Sequence, residues 1–148
     1  MTGNSYMNEG NRSFYCHFTG EQQRIDHEVH DLQREVHEAH GLAPPAQMTD
    51  RLTRLREMMA THFLEEEEGC LDEIVAQRPF LARETKHLEQ EHRQLLEELD
   101  ALIEMVPHRE TGESWKTRFD QFQTTLMRHE RAERELVRRG LQLSEEDA

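Results

Sequence analysis

Residues that interrupt helices or crosslink chains are scarce in this sequence. Its 148 residues include only four prolines and seven glycines, a composition that favours long helices. Two cysteines, Cys16 and Cys70, are too few for a disulfide framework. Apolar runs fall well short of the roughly 20 residues of a membrane span, and the N-terminal sequence MTGNSYMNEGNRSFY lacks the charged start and apolar stretch of a signal peptide. We therefore expect a cytoplasmic protein with no membrane partner.

Positive charge is also in short supply. The chain has 18 lysines and arginines against 31 aspartates and glutamates, which gives a formal net charge of -13. Because phosphate groups are bound by basic patches, this balance argues against nucleic acid and against an anionic membrane surface as partners. The length of 148 residues fits one domain that is large enough to have a core of its own.

Apolar residues recur with the helical period in four segments. They are helix A (19–40), helix B (from Thr49 or Asp50 to 77, with a bend expected at Gly69), helix C (79–105) and helix D (114–139). Thr19 and Gln22 have the spacing of a capping box at the start of helix A. Gly41 offers a C-cap before the loop LAPPAQ, and Pro79 suits the first turn of helix C.

Long helices joined by short loops predict one architecture. We expect an all-α fold, an up-down-up-down antiparallel four-helix bundle, over residues 19–140. Residues 1–18 are polar and contain glycine, so we expect them to be loosely ordered. Residues 141–148 are expected to form an acidic tail outside the bundle.

Three histidines and two glutamates occupy core positions of these helices. They are His62 and Glu66 in helix B, His92 in helix C, and His129 and Glu133 in helix D. Residues four apart lie on one side of a helix, about 40° apart around its axis, so each His-to-Glu pair projects an imidazole and a carboxylate in the same direction. An unpaired charge in the core is costly. A bound cation is the simplest partner for both groups.

The His-to-acid spacing by itself does not single out these pairs. Ten histidines and 31 acidic residues give about two such pairs by chance, and the chain has five. The other three are His17 with Glu21, His27 with Asp31, and His87 with Glu91. His27 and His87 lie away from the apolar stripes of their helices, so we interpret these pairs as solvated surface pairs. Position on the apolar face selects the candidates.

The core set has a metal-free alternative. A single buried histidine is more often a satisfied core residue than a ligand, and the five groups can also form a hydrogen-bond network made of protein groups alone. A buried network of that size is costly unless every member is satisfied. We therefore favour a cation over a purely structural role.

The three histidines are also expected at one height in the bundle. Helices B and C join near residue 78, so His62 lies about 16 residues before the turn and His92 about 14 after it. The connection between helices C and D centres near residue 110, about 17 residues from His92 and about 19 from His129. At about 1.5 Å per residue, the three heights agree within a turn.

Three segments resemble the motifs of the hemerythrin-like, or HHE cation-binding, domain family. HFLEEEEGCL, which begins at His62, is similar to the family's His-Phe-x-x-Glu-Glu signature. LEQEHRQLLEEL, around His92, is similar to its Leu-x-x-Glu-His-x-x-Leu segment, and HERAERELV begins at His129. The resemblance covers about residues 50–140 and implies a four-helix bundle that holds a non-haem di-iron centre.

The resemblance also implies a role for each core residue. Carried over by position, it gives three terminal iron ligands and two carboxylates that bridge the ions: His62, His92 and His129, and Glu66 and Glu133. Glu65 and Glu130 neighbour these positions. They would be alternative ligands, or acceptors that orient a ligating imidazole.

Helix A departs from the family pattern. The family normally contributes one histidine there, but Val29 stands at that place, and counting back from the loop between helices A and B to the height of His62 gives the same position. His30 is nearest in height but lies off the apolar face. His40 lies nearer that face but at the end of the bundle, and His37 has neither advantage. We keep His30 as the sixth candidate ligand.

Helix C departs as well, and the donor set limits the metal. Hemerythrins proper place two histidines four apart in this helix, whereas Leu88 and Leu96 flank His92 at that spacing.

Three histidines and two carboxylates are few ligands for reversible oxygen carriage and leave coordination positions open, for two ions or for one. Imidazole and carboxylate without thiolate suit Fe, Mn or Zn, and the resemblance favours iron. We interpret Cys70 as a core residue and not as a ligand.

Two classes of function follow from these expectations. The first, which we favour, is a non-enzymatic di-iron binding domain that binds or senses oxygen, nitric oxide, peroxide or iron. The second is a di-iron oxidoreductase that detoxifies peroxide or nitric oxide. The sequence offers no readable proton donor, nucleophile-base triad or phosphate loop. A metal-free helical bundle is the third and weakest reading.

Overall fold

Every regular element of the described chain is helical. A computed structural model describes residues 9–38, 45–106 and 112–141. Its elements are α1 (Glu9–Glu38), α2 (Pro45–Glu65), a π-helical turn (Glu66–Leu71), α3 (Asp72–Gln77), a 3-10 turn (Pro79–Leu81), α4 (Ala82–Glu104) and α5 (Gly112–Gly140). The long helices α1, α2, α4 and α5 pack against one another, so the predicted all-helical bundle is confirmed. Within the described ranges, no helix is long and apolar enough to cross a membrane.

The first helix is longer than the sequence pattern predicted. It begins at Glu9 and not at Thr19, so it already includes part of the segment that was expected to be loose. The predicted capping box at Thr19 is wrong, because Gln22 is buried and its side-chain amide donates to Glu133. Of the expected acidic tail, only Leu141 lies among the described residues, and it is buried.

The second helical segment starts earlier and is interrupted. It begins at Pro45, inside the stretch that was expected to be a loop. Proline is tolerated at the first position of a helix, where its missing N–H has no partner to lose. The bend expected at Gly69 corresponds to the π-helical turn, Glu66–Leu71, which contains that residue. A π-helical turn is wider than an α-helical one and changes the rotation of the side chains that follow it.

The hydrophobic core consists of two clusters. The larger one joins the C-terminal part of α1 to α2, α4 and α5, and its members are Ile25, Val29, Leu32, Val36, Met48, Leu52, Leu55, Met59, Phe63, Leu95, Leu99, Leu102, Trp115, Phe119, Phe122 and Leu126. The smaller one lies around the π-helical turn and α3 and contains Phe18, Cys70, Leu71, Ile74, Leu81, Leu88, Leu136, Val137 and Leu141. On α2, Met59 is fully buried in the larger cluster, whereas its neighbour Met58 is 37% exposed.

Buried polar residues separate the two clusters along each long helix. In α1, Gln22 lies between Phe18 of the smaller cluster and Ile25 of the larger one. In α5, His129 and Glu133 occupy the equivalent stretch. We call this set of buried groups the polar layer; its members are Gln22, His62, Glu66, His92, His129 and Glu133. The core is therefore interrupted at one level by groups that need polar partners.

Candidate metal centre

The structure brings together the five core residues predicted from the sequence. Their exposed fractions are 3% for His62, 2% for Glu66, 1% for His92, 2% for His129 and 0% for Glu133. The rings of His92 and His129 are 4.8 Å apart between centroids, edge to face. Glu66 Oε1 lies 3.4 Å from His62 Nε2 and 3.5 Å from His92 Nε2. Residues from α2, α4 and α5 thus converge on one point, as the heights and the apolar faces predicted.

The five residues form two overlapping groups of ligand atoms. One group contains His92, His129 and Glu133, and the other contains His62, Glu66 and Glu133. In each group the ligand atoms lie within 4.8 Å of one another. Glu133 belongs to both, with Oε2 at 2.7 Å from His92 Nε2 and 3.2 Å from His129 Nε2. One carboxylate shared by two ligand groups is the arrangement of a bridging ligand.

Several atoms at the centre of the layer lack a hydrogen-bond partner among the described residues. They are Nε2 of His62, Nε2 of His129 and both carboxylate oxygens of Glu66. Each unsatisfied buried group costs about 1–3 kcal/mol, so a network of protein groups alone leaves this layer incomplete. All of these atoms are metal-ligand types, and they face one another. The residues present therefore fit a bound cation.

Three glutamates outside the layer hold the outer nitrogens of the imidazoles. His62 Nδ1 donates to Glu21 across 2.8 Å, His92 Nδ1 to Glu67 across 2.7 Å, and His129 Nδ1 to Glu91 across 2.7 Å. A carboxylate that accepts from Nδ1 fixes the ring and leaves Nε2 as the atom that can bind a metal. All three Nε2 atoms point into the layer.

The sequence pattern missed the orienting role of these three glutamates. Glu21 and Glu91 belong to the pairs interpreted as surface pairs, and their histidines, His17 and His87, are indeed 60% and 69% exposed. The carboxylates, however, reach inward from the flanks of their helices. For Glu21 and Glu91 the only signal available was their place in the i, i+4 pairs, and that spacing does not show which way a long side chain turns. Glu67 is in no such pair, and its contact with His92 depends on the π-helical turn.

The π-helical turn lets two consecutive glutamates contact the same ring. Glu66 lies near Nε2 of His92, inside the layer, while Glu67 accepts from Nδ1 on the other side of that imidazole. Adjacent residues on a regular α-helix are about 100° apart around the axis. π-helical turns within α-helices are frequent at functional sites, and here the turn begins at Glu66.

Helix α1 meets the polar layer with an amide. Gln22 Nε2 donates to Glu133 Oε1 across 2.9 Å, and Arg134 Nη1 donates to Gln22 Oε1 across 3.0 Å. The prediction that Val29 lies at the height of His62 is wrong: His62 contacts Glu21, eight residues earlier in α1, and Val29 is buried within the larger hydrophobic cluster. The count assumed that helix B begins after Thr49 or Asp50, whereas α2 begins at Pro45, so the count placed the height of His62 too late in α1.

The structure does not bring His30 to the other five candidates. Its side chain is exposed and lines a groove of about 450 Å³ between α1 and α5, together with Asp26 and Gln123. The neighbouring position, Val29, takes the core side of the helix, which turns His30 outward. His37 is also exposed and contacts Asp120 across 3.1 Å. His40 lies outside the described residues.

The two carboxylates expected to orient an imidazole lie elsewhere. Glu65 has a half-exposed side chain and lies 3.6 Å from the exposed His17. Glu130 is buried, and its hydrogen-bond partner is Asp26 of α1. Burial and this carboxyl neighbour raise the pKa of Glu130 to about 10. The role of orienting the imidazoles, which the sequence assigned to Glu65 and Glu130, is filled by Glu21, Glu67 and Glu91.

The two carboxylates of the layer have opposite electrostatic environments. Burial, followed by the neighbouring Glu133, raises the pKa of Glu66 well above its ordinary value. Burial alone would raise the pKa of Glu133 too, but the imidazoles of His129 and His92 hold that pKa below its usual range. Burial would lower the pKa of His129, whereas the carboxylates of Glu133 and Glu91 raise it. Glu133 lies closer to an imidazole nitrogen, at 2.7 Å from His92 Nε2, than Glu66 does, at 3.4 Å from His62 Nε2.

Aromatic rings and a thiol enclose the layer. Phe63 stacks on His92 with 4.0 Å between ring centroids, and Phe18 stacks on His62 at 5.9 Å. Cys70, in the smaller hydrophobic cluster, is 1% exposed, and burial followed by the charge of Glu133 raises its pKa to about 12. Cys70 thus remains a neutral thiol, as expected for a core residue.

Comparisons with known proteins agree with this site. The family model described as hemerythrin HHE cation-binding domain matches residues 15–139. Neither curated proteins nor solved structures gave a match to this chain. The family match covers most of the sequence, including α1 from residue 15 onward, and it spans every residue of the polar layer. The chain therefore belongs to the hemerythrin HHE cation-binding domain family.

Proposed function

We propose that this protein binds two iron ions in its polar layer and uses them to bind or sense a small ligand. Family membership implies cation binding, and the donor set of imidazoles and carboxylates without thiolate suits iron, with manganese or zinc as weaker candidates. The observation that carries the proposal is the set of unpartnered atoms on His62, Glu66 and His129. A metal-free layer leaves these atoms unsatisfied, and two cations satisfy them.

The ligand assignment follows the two overlapping groups. His92 and His129 would hold one ion and His62 and Glu66 the other, and Glu133, which belongs to both groups, would be shared between them. Glu66 Oε1 also lies within 3.5 Å of His92 Nε2, so a small rotation of its carboxylate makes it a second bridge. His30 is not part of this proposal, because its exposed side chain faces the groove between α1 and α5.

The proposed centre belongs to an up-down-up-down antiparallel bundle. Contacts between α4 and α5 support this course, because the Trp115 indole N–H donates to the Leu102 carbonyl near one end and Arg139 pairs with Glu84 near the other. Residues early in one helix thus contact residues late in the other. Arg56 contacts Asp100, whereas Glu67, later in the second helical segment, contacts His92, earlier in α4, which supports the same relationship for those two segments.

Burial of the layer limits the class of ligand. The proposed donors are at most 3% exposed, and stacked phenylalanine rings cover His62 and His92. When bound, the ions supply coordination positions at which a diatomic molecule or peroxide can exchange with solvent. Oxygen, nitric oxide and peroxide are small enough for an enclosed layer, whereas an organic substrate needs a cavity of several hundred cubic ångströms. This favours binding and sensing over turnover of a larger substrate.

Metal analysis of the purified protein tests the proposal. We expect about two iron ions per chain after anaerobic reconstitution, and a visible absorption band that changes when azide is added. His62→Ala removes an unpartnered Nε2 donor and is expected to lower the iron content. His27→Ala is the matched control, because this exposed histidine also pairs with an acid four residues later. The proposal fails if the wild type holds no transition metal, or if both variants retain the same amount of iron.

A further inference from the structure

A second group of metal-ligand side chains lies on the surface beside the polar layer. His17 Nε2 is 3.4 Å from Glu21 Oε1 and 3.6 Å from Glu65 Oε2. The side chains are 60%, 17% and 49% exposed, respectively. One imidazole nitrogen and two carboxylate oxygens therefore converge where water can reach them. We call these three residues the outer cluster.

The dimensions of the outer cluster suit a first-row divalent cation. Its three ligand atoms lie within 4.8 Å of one another. An ion that binds nitrogen and oxygen at about 2.0–2.2 Å in a tetrahedral site keeps its ligand atoms roughly 3.4 Å apart, close to the two measured distances from His17. Three protein ligands on an exposed surface leave the remaining positions to water, so an ion bound there exchanges readily.

Glu21 connects the outer cluster to the polar layer. Its Oε1 faces His17 at 3.4 Å and also accepts from His62 Nδ1 across 2.8 Å. The other ring nitrogen of His62, Nε2, is one of the unpartnered atoms of the layer. Arg24 contacts the other oxygen, Oε2, across 3.3 Å. Glu21, a member of the outer cluster, is thus hydrogen-bonded directly to His62, a proposed iron ligand.

We propose that His17, Glu21 and Glu65 form a labile outer site that captures a divalent cation and passes it to the polar layer. The capture step stands on the outer cluster alone, whereas the transfer step rests on the proposed function of the layer. The layer itself is enclosed, with Glu133 fully buried and Glu66 2% exposed, and the outer cluster offers an ion a first set of ligands at the surface beside it. The ion can then exchange its water molecules for protein ligands in two stages, first in the outer cluster and then in the layer.

The chain contains a natural control for this site. Glu91 repeats the geometry of Glu21: it accepts from His129 Nδ1 across 2.7 Å and lies 3.2 Å from the exposed His87. Among the described residues, however, His87 and Glu91 have no third ligand that corresponds to Glu65. Both His17–Glu21 and His87–Glu91 thus include a glutamate that supports a buried imidazole, but among the described residues only the first pair has a third ligand nearby.

The experiment compares His17→Ala and Glu65→Gln with His87→Ala and with the wild type. Fe²⁺ loading of the metal-free protein is followed anaerobically by stopped-flow absorption, and Zn²⁺ binding to the iron-loaded protein is measured by calorimetry. We expect the wild type to bind one further Zn²⁺ weakly. His17→Ala and Glu65→Gln should lose that binding and load iron about tenfold more slowly, with the same final iron content, whereas His87→Ala should behave as the wild type.

The outcomes separate this inference from the proposed function. Unchanged weak Zn²⁺ binding in both His17→Ala and Glu65→Gln overturns the outer site, and its loss with an unchanged loading rate overturns the transfer step. An equal slowing by His87→Ala also overturns transfer, because that variant leaves the outer cluster intact. If the wild type binds the weak Zn²⁺ but no iron in the layer, the proposed function fails while the capture step stands.

Discussion

Gln22 donates a hydrogen bond to Glu133 across 2.9 Å, and this contact is the place where α1 joins the polar layer. The family pattern leads one to expect an imidazole from this helix. An amide instead supports the carboxylate that the two candidate ligand groups share, and the members of those groups come from the other helical segments. Arg134, which donates to the other end of the same amide, fixes its orientation.

Replacement of Gln22 by histidine should strengthen metal binding. The new imidazole would lie beside Glu133, where it can act as a fourth nitrogen ligand. We expect Gln22→His to retain iron at chelator concentrations that strip the wild type. The matched variant is Val29→His at the position first expected to face the layer; it places a polar ring in an apolar cluster and should lower the free energy of unfolding by about 1–3 kcal/mol. Better iron retention in Val29→His than in Gln22→His would contradict the observed register.

Removal of a carboxylate that orients an imidazole should lower the metal affinity although no proposed ligand is removed. Glu67→Ala deletes the acceptor of His92 Nδ1, and the loss of such a partner typically lowers metal affinity about 10–100-fold. Glu68→Ala changes the next residue, whose side chain is exposed, and should leave the affinity unchanged. Competition with a coloured chelator measures both. Equal affinities in the two variants would show that His92 needs no support from Glu67.

The apolar face predicted the five layer residues for a physical reason. A side chain on the apolar stripe of a long helix points into the core, so His62, His92 and His129 converge in the core once the helices pack. Glu21 and Glu91 lie on the flanks, and their inward turn depends on a neighbouring helix that the local sequence does not describe. The height of Gln22 was not predicted because the count took helix B to begin after Thr49 or Asp50, whereas α2 begins at Pro45.

Cys70 should contribute to stability and not to metal binding. Its thiol is 1% exposed, and its pKa of about 12 keeps it protonated at neutral pH. Cys70→Ala leaves a small cavity in the smaller hydrophobic cluster, which should cost about 1 kcal/mol of the free energy of unfolding. Urea denaturation and iron analysis measure the two effects. A loss of iron with unchanged stability would instead make the sulfur a ligand.

Two glycines should respond in opposite directions to alanine. A Cβ added at Gly140 would lie 2.6 Å from Ile74 Cγ1, so Gly140→Ala forces α5 away from α3 and should destabilise the protein by about 1–3 kcal/mol. A Cβ at Gly20, within α1, meets nothing within 4 Å. Gly20→Ala should therefore stabilise the protein by about 0.5–1 kcal/mol. Equal thermal denaturation midpoints for the two variants would contradict the close contact of α5 with α3.

The polar layer that divides the core also determines how the protein comes apart. The two hydrophobic clusters are separated along every long helix by groups that are stable there only when their charges and lone pairs are matched. Without a cation, the part around Leu71, Ile74 and Val137 can open as a cooperative unit of its own, ahead of the larger cluster. With the cation bound, the two parts are joined and unfold together. The coupling between the halves, visible as the spread of amide hydrogen-exchange rates, is then a direct readout of metal occupancy.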